Sequence, residues 1–89
     1  MQPRDQRHTV KLDARLRSGA SWVNASIRNV SKRGAMITLT DAPPPGTFVE
    51  LRRGEMVIVA RVVWSDGQSC GLRAQRSISI PCLKAALSD

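Results

Sequence analysis

Strict alternation of apolar and polar residues constrains this 89-residue chain more than any other feature. Val10, Leu12, Ala14 and Leu16 alternate with Lys11, Asp13, Arg15 and Arg17. A β-strand sends successive side chains to opposite faces, so this run keeps one face for a core and one for water. The pattern returns after Ser18-Gly19-Ala20-Ser21, with Val23, Ala25 and Ile27 set against Asn24, Ser26 and Arg28. Ala35, Ile37 and Leu39 form a third run. Asp41-Ala42-Pro43-Pro44-Pro45-Gly46 then breaks it, because three prolines cannot continue a ladder. Phe48, Val49 and Leu51 begin a fourth strand, which Arg52-Arg53-Gly54-Glu55 turns. Met56 to Trp64 is a long β-branched run, expected to be buried on both faces for part of its length. Cys70, Leu72 and Ala74 alternate in a sixth strand beyond Ser65-Asp66-Gly67-Gln68.

Six short strands joined by hairpin-length turns predict an all-β fold, a closed or nearly closed six-stranded antiparallel β-barrel. Closure removes the strand edges that so small a chain could not otherwise protect. Past residue 76 the period changes. Ile80, Leu83 and Leu87 fall at helical spacing, with Ser79 as a cap and Pro81 acceptable in a first turn. The expected organisation is a basic lead over residues 1–8, a barrel over 9–76 and a short C-terminal helix within 77–89. That helix is too short to hold alone and is expected to pack on the barrel or on another subunit.

The charge is unevenly placed. Eight Lys/Arg and two acids occupy residues 1–34, whereas residues 35–89 hold six Lys/Arg and five acids. Six of the seven net positive charges therefore lie at or before the segment Asn29-Val30-Ser31-Lys32-Arg33-Gly34. Such a balance implies a polyanionic partner: a nucleotide, a nucleic acid or an acidic surface. Eleven of the fourteen cations are Arg, whose planar fork suits phosphate and the guanine O6/N7 edge. In the segment itself, Asn29 and Ser31 can hydrogen-bond a ligand or close their own turn, and Gly34 can take positive φ or admit a ligand close to the backbone.

Enzyme chemistry finds little to work with. The one histidine, His8, lies in the polar lead, the seven carboxylates fall in turns or on solvent-facing strand positions, and no phosphate-binding glycine loop is present. Cys70 and Cys82 are too far apart for a C-x-x-C metal or redox pair, so no metal and no cofactor are expected. They are expected to be reduced, unreactive thiols of a cytoplasmic protein. The polar start Met1-Gln2-Pro3-Arg4 is unlike a secretory leader, and no apolar run is long enough for membrane insertion. Trp22 is expected as a half-exposed strand start, and Trp64 as a core or barrel-rim plug.

In order, these residues give a basic Arg-containing lead, an alternating strand, N-x-S-x-x-G, Gly46-x-x-Val49-x-Leu51, Val62-Val63-Trp64 and Cys70-Gly71-Leu72-Arg73. The series resembles a PilZ domain from about Arg4 to Arg76. That family is a six-stranded barrel that binds the bacterial second messenger cyclic di-GMP through R-x-x-x-R in the lead and [D/N]-x-S-x-x-G after the second strand. The second motif matches in full at Asn29, Ser31 and Gly34. The first departs from the pattern, because Arg4 and Arg7 are separated by two residues instead of three. The resemblance implies that Arg7, with Arg4, would stack on or fork onto an intercalated cyclic di-GMP dimer. Asn29 and Ser31 would hydrogen-bond it, Gly34 would let the turn close over it, and Arg33 or Lys32 could add a phosphate contact. An effector protein would read the resulting ordering of the lead. Two other functions stay open: a degenerate PilZ domain acting by protein contacts alone, and a small basic nucleic-acid barrel. The latter is disfavoured by a total of three aromatic residues, Trp22, Phe48 and Trp64.

Overall fold

The alternating runs become six strands in the computed structural model, which describes residues 8–76. They are β1 (His8–Ser18), β2 (Ser21–Ser31), β3 (Gly34–Thr38), β4 (Phe48–Arg53), β5 (Met56–Ser65) and β6 (Ser69–Ala74). All neighbours pair antiparallel, and the order β1-β2-β3-β6-β5-β4 closes when β4 pairs with β1. The expected barrel is present. The expected helix, and the lead up to residue 7, lie outside the described residues, and residue 8 already belongs to β1.

The inward side chains meet as one core. Leu16, Ile27, Val30, Ile37, Leu51, Val62 and Cys70 are fully buried. Burying a side chain of this size stabilises by roughly 1.5–3 kcal/mol, so this layer supplies much of the drive to fold. The Pro-rich loop is pinned to the wall: Gly46 N donates to Val62 O at 2.7 Å, and Val62 N donates to Thr47 O at 2.9 Å.

β5 corrects one expectation. It alternates without a break from buried Met56 to buried Val62, with Val57, Val59, Arg61 and Val63 outside, so no part of it is covered on both faces. The β-branched run reflects strand propensity, not a doubly buried strand.

Three register shifts interrupt the ladders, at Thr9/Leu12 in β1, Ile27/Asn29 in β2 and Val62/Trp64 in β5. A bulge gives one strand an extra residue and re-aims the side chains beyond it. In β2 it leaves Arg28 and Asn29 both off the core while Val30 returns inward. In β5 it leaves Val63 and Trp64 both outside. Trp64 is therefore no plug: it is 42 % exposed.

Candidate functional site

The segment Asn29 to Gly34 folds as the β2–β3 hairpin. Asn29 and Ser31 belong to β2, Gly34 opens β3, and only Lys32 and Arg33 form the turn. Ser31 Oγ accepts the Arg33 backbone N–H at 3.3 Å and is 5 % exposed, so part of its capacity closes the turn. One lone pair and the hydroxyl proton are not used by that bond. Asn29 Nδ2 lies 3.6 Å from Met36 Sδ, a weak contact across the ladder. Arg33 O accepts Ala74 N–H at 2.8 Å, which fastens the hairpin to the end of β6.

Gly34 owes its identity to packing. Its φ is not positive, but a Cβ there would overlap the Leu72 carbonyl oxygen of β6. The backbone approach is too close for any side chain, so the motif glycine is required by the β3–β6 contact itself.

Strand register shows what surrounds this hairpin on the outer face. One row runs Asn29–Met36–Gly71–Trp64 across β2, β3, β6 and β5. The bulges in β2 and β5 sit at its two ends and are what bring Asn29 and Trp64 onto it. The next outer row runs Ser31–Gly34–Arg73–Arg61–Phe48. Paired side chains in such rows lie about 5 Å apart, so the hairpin, two exposed arginines and an exposed indole form one surface. The Trp64 ring lies over Gly71, where a Cβ would overlap its indole nitrogen. Two glycines thus leave the floor of the surface flat.

At the far end of the second row opens a groove of about 670 Å³, lined by Gly46, Phe48, Arg61, Val63, Arg73 and Ala74 among others. The Arg61 guanidinium stands 5.8 Å from the Phe48 ring centroid, a cation–π contact that holds the fork at the groove wall. Ala74, bonded to Arg33, joins the groove to the hairpin.

A scan against protein-family models matches residues 2–83 to the PilZ domain. The chain belongs to the PilZ domain family. A search of curated proteins returned no match. PilZ is a family of ligand-binding receptor domains, not one known for catalysis.

The structure brings Asn29, Ser31, Arg33 and Gly34 together at one corner of this PilZ barrel. Arg4 and Arg7 lie outside the described residues, but the strand they lead into begins at His8, which pairs with Val30 between Asn29 and Ser31. Arg61, Arg73 and Trp64 are additions that sequence reasoning missed. The charge count pointed only to the N-terminal half, and nothing in the order of residues shows that β6 and β5 lie beside the motif. Among the described residues no group of three or more His, Cys, Asp or Glu converges for a metal, and no helix is long and apolar enough to cross a membrane. Cys70 is free and fully buried, and burial, with the Asp66 charge adding, pushes its thiol up to about 11.

Proposed function

We propose that this PilZ domain is a cyclic di-GMP receptor whose site is the outer surface around the β2–β3 hairpin. What carries the proposal is the row Ser31–Gly34–Arg73–Arg61 lying beside the row Asn29–Met36–Gly71–Trp64. Asn29 and the Ser31 hydroxyl offer a donor and acceptor pair for a guanine edge. Arg73 and Arg61 offer planar forks for phosphate or for O6/N7 of guanine, contacts stronger than neutral hydrogen bonds. Trp64, seated directly on Gly71, offers a flat aromatic face. Arg33 adds positive charge at the turn. Arg7, with Arg4, would add contacts to guanine or phosphate, as both precede β1 in the sequence.

The domain acts without chemistry on its ligand. Binding would order the basic lead against the barrel, and an effector protein would read that change. A second messenger made inside bacteria places such a receptor in the cytoplasm. The degenerate PilZ reading keeps a specific support: the R-x-x-R spacing is one residue short, and the Ser31 oxygen is already engaged by its own turn. Calorimetric titration of the domain separates the two. The receptor reading predicts saturable heat with cyclic di-GMP, roughly micromolar affinity or about −8 kcal/mol, and none with GMP at the same concentration. Absence of heat at high micromolar cyclic di-GMP leaves the domain to protein contacts.

A further inference from the structure

Around the barrel wall from the hairpin, β1, β4 and β5 expose a second surface, which meets the proposed nucleotide site only where Phe48 stands beside Arg61. Cross-strand pairing sets Arg15 beside Arg52 and Arg52 beside Val57, with Arg17 beside Glu50 and Glu50 beside Val59. Arg15, Arg17 and Arg52 place their guanidinium carbons 5.6, 5.5 and 5.6 Å from the centroid of one indole, Trp22. Glu50 holds two of them, Arg17 at 2.6 Å and Arg52 at 3.2 Å. The cations are thus gathered into one cluster with a single carboxylate among them. Next to the cluster, Val57 and Val59 are 44 % and 49 % exposed, and Phe48 is 59 % exposed.

We propose that this face docks on an anionic lipid surface, with Arg15, Arg17 and Arg52 at the headgroup phosphates and Val57, Val59 and Phe48 against the acyl boundary. An apolar stripe bordered by cations and an indole is the chemistry of an element lying in the plane of a membrane interface. Each Arg near such a surface adds attraction that falls off within a Debye length. Three other occupants fit less well. A second copy would set arginines against arginines. A single-stranded nucleic acid would need ring faces for its bases, but guanidiniums already stand over Trp22 and Phe48, and exposed valines gain nothing from a phosphate backbone. A protein partner needs about 800 Å² of matched surface on each side, and a valine stripe one strand wide offers no such dry centre.

The probe is co-sedimentation with vesicles of about one part phosphatidylglycerol to three parts phosphatidylcholine, against phosphatidylcholine alone. The domain should sediment with the anionic vesicles only, and less so as salt rises. Arg52→Glu should weaken the partition at least about fivefold, whereas Lys11→Glu, the same charge change at an exposed position beyond the cluster, should weaken it less than about twofold. Val57→Ser combined with Val59→Ser should weaken it about fivefold without changing its salt dependence. Far-UV circular dichroism checks that these variants keep the barrel, and Val59→Thr, with the same branched shape, replaces the serine pair if they do not. Failure to sediment with anionic vesicles overturns the proposal. So does an equal loss in Lys11→Glu and Arg52→Glu, which would make the attraction one of net charge, or competition by a single-stranded oligonucleotide that the valine changes leave intact.

Discussion

Ser31 and Gly34 belong to one motif yet serve different ends. The Ser31 oxygen takes one hydrogen bond from its own turn, and in the proposed site its proton would serve the ligand. Ser31→Ala should cost about 1 kcal/mol of cyclic di-GMP affinity and little fold stability, as seen by titration beside a thermal melt. Gly34→Ala should do the reverse. Its methyl group meets the Leu72 carbonyl, part of a ladder that cannot yield without losing pairs, so about 3 kcal/mol of stability should go, read by urea unfolding. Cys70 gives a separate residue-scale test. Its thiol ionises near 9.0 when unfolded but holds its proton to about 11 in the barrel. Folding therefore favours the protonated form: stability is unaffected below pH 9 and falls as pH rises from 9 toward 11, by about 2–3 kcal/mol. Cys70→Ala should flatten that part of the stability profile relative to the native chain, and native Cys70 should resist thiol reagents at neutral pH.

At the scale of elements, the strands were legible and the bulges were not. Alternation already names Ala14, Leu16, Ala25 and Ile27 as inward residues, because period two is a property of the backbone. A bulge breaks that period by one residue with no fixed composition, so counting inward and outward across Val62-Val63-Trp64 puts Trp64 in the core, where it is not. The same shift at Ile27/Asn29 turns Asn29 outward. Register between distant strands is equally hidden: Arg73 stands beside Gly34 through the β3–β6 pairing, a contact between residues far apart in sequence. The motif Asn29, Ser31 and Gly34 was visible because it is local. The rest of the surface was not, because only closure of the barrel assembles it. Gly71→Ala tests this assembly. The methyl group would displace the Trp64 ring, a side chain that can swing away, so stability should fall by only about 1 kcal/mol while Trp64 fluorescence changes and cyclic di-GMP affinity drops.

For the whole molecule, the barrel holds two arginine-bearing surfaces on different sides. Arg61 and Arg73 stand beside the hairpin, and Arg15, Arg17 and Arg52 stand around Trp22. Specific recognition should separate them. Arg7→Ala and Arg73→Ala should each cost roughly 1.5–3 kcal/mol of cyclic di-GMP binding, the scale of a lost charged hydrogen bond, while Arg15→Ala should cost almost nothing. The two tryptophans supply a direct readout, since each lies on one of the two surfaces and the chain has no others. In a ¹⁵N correlation spectrum recorded during titration with cyclic di-GMP, the Trp64 indole N–H and the Gly34 and Arg73 amides should shift and saturate together. The Trp22 indole N–H should stay where it is. Movement of the Trp22 signal with Trp64 unchanged, or no movement of either, would contradict a ligand site at the β2–β3 hairpin.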